Sequence, residues 1–179
     1  RQRQMCIRDR IWYVGIYTMG LKRWTPQNIV IGGAAGGFAP MVGWAAVTGR
    51  VDPMALFLFA LIFFWTPPHT WSFAILTERD YREAGVPMLP VVTGARPAAF
   101  RAFLYTILLA LLTLAPFAAG AMGRVYLVGA LALDAWLLLL AFRLWRTPEK
   151  AIARRMYHAS NAYLFLFFVG MVLDRVLRL

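Results

Sequence analysis

Five long stretches of this chain carry at most one charged residue over lengths suited to crossing a lipid bilayer, whose hydrocarbon core needs about 20 apolar residues in a helix. Each stretch is apolar around its whole circumference, which is typical of helices surrounded by lipid. The stretches are residues 29–48, 54–76, 102–123, 125–142, with one aspartate inside, and the shorter 159–173. The sequence therefore predicts an all-α fold, a polytopic transmembrane helical bundle.

Composition supports the membrane prediction. Hydrophobic residues make up 61% of the chain and charged residues 15%, whereas a soluble domain is about 45–50% apolar and about 25% charged. A further apolar stretch, residues 11–21, is too short to cross a bilayer. We interpret it as the end of a helix whose beginning is missing. Residues 11–179 are therefore expected to form a single transmembrane domain that is incomplete and N-terminally truncated.

The first ten residues, RQRQMCIRDR, are strongly charged and contain no apolar signal-peptide core. The run MCIRDR resembles translated adapter sequence at the end of an assembled read. We interpret residues 1–10 as a non-native or disordered basic segment, with a genuine basic loop before a membrane helix as the alternative. Cys6 then carries no argument, and the sequence offers neither a disulfide nor a reactive thiolate.

The distribution of basic residues predicts the orientation in the membrane. If the chain changes side at each span from residues 29–48 onward, eleven basic residues fall on one side and four on the other. The richer side is expected to be cytoplasmic. The net charge of +11 then reflects topology and phosphate chemistry. Nucleic acid is not an expected partner, because the basic residues are divided among separate loops and no recognition module is visible.

The segment 63–93, FFWTPPHTWSFAILTERDYREAGVPMLPVVT, is the most informative for function. It begins as an apolar helix, which Pro67-Pro68 is expected to break or kink. It then enters a predicted polar loop at the membrane boundary. Carboxylates beside arginines at such a boundary suit a divalent metal and an anionic substrate with a lipid tail, and so favour an enzyme acting on an isoprenoid diphosphate. The polar residues of this loop include Glu78, Asp80, Tyr81 and Glu83.

Three other features have structural interpretations. The glycines at positions 32, 33, 36 and 37 follow no predicted strand and are not expected to bind a nucleotide. They are expected to pack helices closely, with the close approach of a flat ligand as the alternative. Residues 145–158 are predicted to form a short interfacial helix, with Thr147 as its cap and Pro148 at its first position. Asp134 lies within a span, where a carboxylate normally faces the protein interior; no role is assigned to it.

Several motifs occur in a fixed order along the chain: YT at 17–18, LKR at 21–23, TPQNI at 25–29, GGAAGGFAPMVGW, WTPPHTW and DYREAGVPMLPVVTG. In this order they resemble the protohaem IX farnesyltransferases, a family of the UbiA-type intramembrane prenyltransferase superfamily. The resemblance extends from about Ile11 to Leu179, roughly the last two thirds of such an enzyme. The first acidic motif of that family, N-x-x-x-D-x-x-x-D, has no match in this sequence.

The resemblance implies a UbiA-type fold in which helices surround a cavity open to lipid, and two acidic motifs hold Mg2+ on a prenyl diphosphate. Asp80 stands at the second motif and is the expected metal ligand and catalytic residue, with Tyr81 beside it. Glu78 is a weaker candidate for the metal, and Glu83 is interpreted as part of a solvated loop. The alternative is that all of these carboxylates are merely solvated.

A basic pair is the expected diphosphate-binding element. Lys22 and Arg23 match the pair that the resemblance places after a family helix, and both side chains can bind phosphate oxygens. Tyr17, upstream, is expected to hydrogen-bond the same group. Ordinary positive charge at the cytoplasmic end of a helix would also explain the pair.

The haem side of the expected cavity is assigned to His69 and Trp65, with Trp71 nearby. For His69 three roles remain open: contact with a haem propionate, ligation of haem iron, or a hydrogen bond to a carbonyl that the prolines leave free. His158 lies in a basic segment and is expected to be interfacial.

The function implied by the resemblance is transfer of a farnesyl group from farnesyl diphosphate to a vinyl group of protohaem IX, giving haem O. The expected location is a bacterial inner membrane, with the acidic loop in the cytoplasm. Haem A synthase or a terminal oxidase would receive the product. The alternatives are a related enzyme that prenylates a quinone precursor and a non-catalytic membrane subunit that binds haem through His69 and His158. This sequence alone is expected to be inactive, because one acidic motif is absent.

Overall fold

The computed structural model describes residues 28–177, and all regular structure in this part of the chain is helical. The predicted all-α class is confirmed. The elements are α1 (Asn28–Thr48), α2 (Pro53–Leu76), α3 (Glu78–Glu83), α4 (Leu89–Thr93), α5 (Ala95–Thr113), α6 (Ala115–Ala118), α7 (Arg124–Arg146) and α8 (Lys150–Leu177).

Four helical segments of the described chain are long and apolar enough to cross a membrane: α2, α5 together with α6, α7 and α8. The remaining predicted stretch, residues 29–48, corresponds to α1, whose 21 residues include no charged side chain. The third span begins at Ala95, seven positions earlier than predicted. The predicted stretch is uncharged and therefore begins after Arg96 and Arg101, although a helix end at the headgroups accommodates arginine readily. The protein is a multi-pass membrane protein.

The four long helices form a closed ring in which α2 packs on α5, α5 on α7, α7 on α8, and α8 back on α2. Helix α1 packs on α2. Apolar side chains from all four ring helices fill the interior, including the fully buried Leu61, Leu109, Leu137 and Tyr163. Helix α2 therefore contacts three other long helices, and its residues are positioned by several neighbours at once.

The contact between α1 and α2 depends on glycine. A Cβ atom at Gly37 would lie 2.8 Å from the carbonyl oxygen of Phe59, and one at Gly33 would lie 3.2 Å from Cβ of Thr66. Only residues without a side chain allow the two backbones to approach this closely. The prediction that these glycines pack helices is confirmed at both positions.

The double proline does not break α2, so the alternative that the helix ends there is wrong. Helix α2 continues through Pro67 and Pro68 to Leu76. Both prolines are buried within the bundle, and the packing of α1, α5 and α8 against α2 holds the helix together where two backbone N–H groups are missing. The hydroxyl of Thr66 donates to the carbonyl of Ile62, 2.7 Å away, in the same turn.

Two segments differ from their predicted form. Residues 150–158 are the beginning of α8, a single helix of 28 residues, and do not form a separate interfacial helix. No glycine or proline separates them from the apolar stretch, and Ala153 and Met156 are buried like the later core residues. Thr147 and Pro148 lie between α7 and α8. The acidic segment, predicted as a loop, is also helical and forms α3, which two ion pairs between residues four positions apart stabilise.

Two buried aspartates connect the ring helices. Asp134 on α7 accepts hydrogen bonds from the hydroxyls of Thr113 on α5, at 2.6 Å, and Tyr163 on α8, at 2.7 Å. Its predicted inward orientation is confirmed. Asp174 on α8 accepts from the backbone N–H groups of Gly123, at 2.6 Å, and Tyr126, at 3.0 Å, and so caps the beginning of α7. Both carboxylates fix the positions of helices in the bundle.

Candidate functional site

Three aromatic rings stack where α2 meets α8. Trp65 and His69 lie one turn apart on the same face of α2. Their ring centroids are 4.3 Å apart with an interplanar angle of 16°. Tyr157 of α8 lies against His69, with centroids 4.8 Å apart and an angle of 27°. The imidazole of His69 is therefore held between an indole and a phenol.

Ser160 of α8 anchors both α2 residues of this stack. The indole N–H of Trp65 donates to the backbone carbonyl oxygen of Ser160, 2.8 Å away. The Nδ1 atom of His69 lies 2.8 Å from Oγ of the same serine. Ser160 itself is fully buried. Among the contacts described for His69, the hydrogen bond of Nδ1 is thus to a hydroxyl and not to a carbonyl freed by the prolines.

Trp71 is not part of this aromatic stack. It is 2% exposed and packs edge-on against Tyr105 of α5, with centroids 5.4 Å apart and an interplanar angle of 86°. Trp65 and His69 face α8 instead. The expectation that all three residues surround one space is therefore wrong for Trp71, because the unbroken helix α2 directs it toward α5.

The acidic residues lie on α3, directly after α2. The side chain of Arg79 pairs with Glu83, at 2.7 Å, and Arg82 pairs with Glu78. Both pairs are four positions apart, a spacing that stabilises a short exposed helix. These four charges cancel within the helix. Asp80 is exposed, and its side chain makes no hydrogen bond or ion pair with any residue from 28 to 177. Of the three carboxylates on α3, it is therefore the one whose negative charge no described arginine neutralises.

Asp80 and Tyr81 point in different directions, because successive residues of a helix are separated by about 100° around its axis. Tyr81 is partly buried and packs against the apolar core, whereas Asp80 faces outward. Burial raises the pKa of the Tyr81 phenol above its ordinary value of 10.0. The phenol is therefore neutral at physiological pH and can donate a hydrogen bond.

The described carboxylates fit part of a magnesium site. Within residues 28–177 no group of three or more histidine, cysteine, aspartate or glutamate side chains lies close enough to surround a metal. Magnesium, however, is commonly bound by one or two carboxylates together with substrate phosphates and water. Asp80 offers a carboxylate with no partner among the described residues, whereas one oxygen of Glu78 is occupied by Arg82. The arrangement favours Asp80 over Glu78 as a ligand.

The predicted diphosphate-binding residues Tyr17, Lys22 and Arg23 lie outside the described residues, and their role stays a prediction. The predicted separation of charge is present in the described bundle. The end of the bundle that holds α3 carries nine basic residues, and the opposite end carries Arg50, Arg124 and Arg175. The nine are Arg79, Arg82, Arg96, Arg101, Arg143, Arg146, Lys150, Arg154 and Arg155. Anionic groups are therefore attracted to the end that holds Asp80.

Sequence reasoning missed Ser160 and Tyr157. Both lie where the sequence pattern predicts a charged interfacial turn followed by a separate span. The signal that could have found them is the uninterrupted helical pattern of residues 150–177, which places positions 153, 156, 160 and 163 on one buried face. The contact of Ser160 with His69, 91 residues earlier, could not be read from local patterns.

Curated relatives match nearly all of this chain. A protein from Thermus thermophilus named protoheme IX farnesyltransferase is 53% identical over 165 residues, which cover 92% of this chain and 27% of that protein. A protein of the same name from Gloeobacter violaceus is 51% identical over 166 residues, covering 92% of this chain and 54% of the relative. The chain thus spans about half the length of these relatives, or less.

The fold is also found in a solved structure of digeranylgeranylglyceryl phosphate synthase. The two superpose with a TM-score of 0.80 at 18% identity, over 89% of this chain and 56% of that one. At this identity the likeness concerns the fold alone. The UbiA prenyltransferase family matches residues 11–170. A family match over most of the sequence, an all-helical membrane bundle and the shared fold lead to one conclusion: this chain belongs to the UbiA prenyltransferase family.

Proposed function

We propose that the complete protein transfers the farnesyl group of farnesyl diphosphate to a vinyl group of protohaem IX and so produces haem O. The observation that carries this proposal is the identity of 53% and 51%, over 92% of the chain, to two relatives named protoheme IX farnesyltransferase. The unpaired carboxylate at one end of the bundle and the aromatic stack within it are consistent with a diphosphate end and a porphyrin end of one site.

At the diphosphate end, Asp80 is the proposed metal ligand, with the free oxygen of Glu78 as a second donor. A magnesium ion, when bound there, would supply positive charge that stabilises the departing diphosphate. Lys22 and Arg23 are proposed to bind phosphate oxygens, and Tyr17 to hydrogen-bond them. Tyr81, whose phenol keeps its proton, is proposed to donate a hydrogen bond to an anionic oxygen of the diphosphate.

The proposed transfer proceeds through ionisation of the allylic C–O bond. The electron pair of this bond leaves with the diphosphate, and a farnesyl cation forms. The terminal vinyl carbon of haem attacks the cation, which creates a C–C bond and moves the positive charge to the carbon next to the porphyrin ring. Water adds to that carbon and releases one proton, leaving a hydroxyethylfarnesyl side chain. The step needs no oxidant or reductant.

At the haem end, Trp65 and His69 are the proposed contacts, joined by Tyr157. Their rings form an aromatic stack where α8 meets α2, a helix long and apolar enough to cross a membrane, and porphyrins bind through apolar and aromatic contacts together with a few polar groups. Since His69 lies about two turns before the end of α2, and α3 follows directly, the two ends of the site are on consecutive parts of the chain.

The alternatives are less well supported. Prenylation of a quinone precursor would use the same diphosphate end, but the named relatives do not suggest it. A haem-binding subunit would need His69 and His158 to act together. His158 is exposed and contacts Tyr157 edge-on at 5.3 Å, so Tyr157 lies between the two histidines.

We further propose a bacterial inner membrane as the location, with α3 on the cytoplasmic side. The excess of basic residues at that end of the described bundle supports this orientation. Soluble farnesyl diphosphate and magnesium would then reach Asp80 from the cytoplasm. Transfer of the product to haem A synthase or to a terminal oxidase is a further part of the proposal.

The test is a product assay with the complete protein in membranes, supplied with farnesyl diphosphate, protohaem IX and magnesium. Haem O, identified by its mass and chromatographic retention, and an equal amount of released diphosphate are the expected products. A prenylated quinone precursor without haem O would support the alternative enzyme. Haem binding without diphosphate release would support the non-catalytic subunit. Either result would overturn the proposal.

A further inference from the structure

The hydroxyl of Ser160 has two neighbours but only one proton to donate. Its Oγ lies 2.7 Å from the backbone carbonyl oxygen of Tyr157 and 2.8 Å from Nδ1 of His69. A carbonyl oxygen can only accept a hydrogen bond. If the hydroxyl proton pointed to His69, two oxygens with only lone pairs facing each other would lie 2.7 Å apart. The proton therefore points to Tyr157, and Oγ is an acceptor toward His69.

This geometry determines which nitrogen of His69 carries the proton. Because Oγ of Ser160 accepts, Nδ1 must be the donor, and the neutral ring then has its lone pair on Nε2. Within residues 28–177, Nε2 has no hydrogen-bond partner and no acidic side chain contacts the ring. A second proton on the ring would thus have no acceptor and no counter-charge from the described residues.

The surroundings limit what can approach this lone pair. Trp65 covers one face of the imidazole and Tyr157 covers the other, so that a ligand reaches His69 only at the edge of the ring. An unprotonated ring nitrogen presented edge-on suits a metal ion, and imidazole is a common axial ligand of haem iron. A propionate carboxylate is itself an acceptor and would be repelled by the same lone pair.

We propose that Ser160 is a positioning residue that holds His69 with its proton on Nδ1 and its Nε2 lone pair available to the iron of a metalloporphyrin. The inference rests on the proposed function for the identity of the ligand, and it selects iron ligation among the three roles open to His69. Ser160 would act as the groups behind metal-binding histidines do, since these bind the second ring nitrogen and fix its tautomer.

The tautomer can be measured in the absence of haem. The complete protein is labelled with 15N-histidine, and the signals that disappear in a His69→Gln variant are assigned to His69. Nitrogen chemical shifts of a protonated Nδ1 and an unprotonated Nε2 are expected for His69. The opposite tautomer would overturn the inference, yet it would leave farnesyl transfer to haem untouched, so failure of the two proposals can be distinguished. This measurement needs no substitution at Ser160.

A titration with ferric haem tests the role of the serine. Ser160→Ala is expected to weaken haem binding about ten-fold, the lower end of the effect of removing such a supporting group, and to reduce the nitrogen-ligated signal in the Soret and electron paramagnetic resonance spectra. Ser160→Thr, which keeps the hydroxyl, should restore both.

Ser72→Ala is the matched control. Ser72 is also fully buried, and its hydroxyl donates to the backbone carbonyl of His69, 2.7 Å away, without contacting the ring. The haem affinity of the Ser72→Ala variant should stay within about two-fold of that of the unsubstituted protein. Equal affinities and spectra for Ser160→Ala and Ser72→Ala would contradict the proposal.

Discussion

Trp65 on α2 and Ser160 on α8 are joined by a hydrogen bond of 2.8 Å, although 95 positions separate them in the sequence. The same serine contacts His69 through its hydroxyl. The α2 residues proposed for the haem end are thus positioned by α8. The acidic helix α3, in contrast, is joined to α2 by a single residue, Thr77. The two ends of the proposed site depend on different parts of the fold.

Gly37→Ala should destabilise the bundle. The new Cβ would lie 2.8 Å from the carbonyl oxygen of Phe59 and 2.9 Å from its ring, so α1 and α2 must separate. We expect a loss of about 1–3 kcal/mol in the free energy of unfolding, measured by thermal unfolding of the complete protein in detergent. Gly43→Ala is the control, because no atom beyond the neighbouring backbone of its own helix lies within 4 Å of its Cβ in the described residues. It should be neutral or stabilising by up to about 1 kcal/mol.

Asp134→Ala should also destabilise the protein, by about 2–4 kcal/mol, because the buried hydroxyls of Thr113 and Tyr163 lose their acceptor. Removing the donors together with the acceptor, in the triple variant Asp134→Leu, Thr113→Val and Tyr163→Phe, should recover most of this loss. Thermal unfolding in the same detergent measures both. A change below about 0.5 kcal/mol for Asp134→Ala would show that the network does not stabilise the ring.

The membrane helices could be predicted from the sequence because their signal is local. A stretch without charge that is long enough to cross a bilayer has few other stable structures. The errors occurred at helix ends, where Arg96, Arg101 and the basic residues before His158 belong to helices that extend beyond the uncharged stretches. A charge marks the edge of the hydrocarbon there, not the end of the helix.

The candidate site could be predicted only in part. Asp80 and His69 were named from motifs along the chain, and their roles stay predictions. The pairing of Glu78 and Glu83 with arginines, which leaves Asp80 alone, follows from the helical conformation of α3 and is hidden when this segment is treated as a loop. Ser160 and Asp174 act on helices far away in sequence, and no pattern in a single sequence reveals such contacts.

The 179-residue chain by itself should form no haem O, even where it inserts into membranes. Only one of the two acidic motifs expected from the resemblance is present, so the proposed metal site has carboxylates from one side only. The measurement is haem O in membranes that contain this chain, compared with membranes that lack it and with membranes that contain the complete protein. Product above the empty-membrane background would contradict the two-motif mechanism.

Asp80→Asn in the complete protein is the variant that addresses the central claim. The substitution keeps the size of the side chain and removes the negative charge that no arginine of the described residues compensates. If Asp80 binds the metal that assists departure of the diphosphate, farnesyl transfer should fall by about 10²–10³ or more, while haem binding stays nearly constant. Glu83→Gln is the matched control on the same helix, where it disrupts only the exposed pair with Arg79.

The most direct test is therefore the rate of haem O formation by these two variants, measured side by side at saturating haem. The account predicts a loss of at least about 10²-fold for Asp80→Asn and a change of only a few-fold for Glu83→Gln, since an exposed ion pair contributes little. Equal and small effects at both positions would contradict it, because α3 would then not carry the metal site.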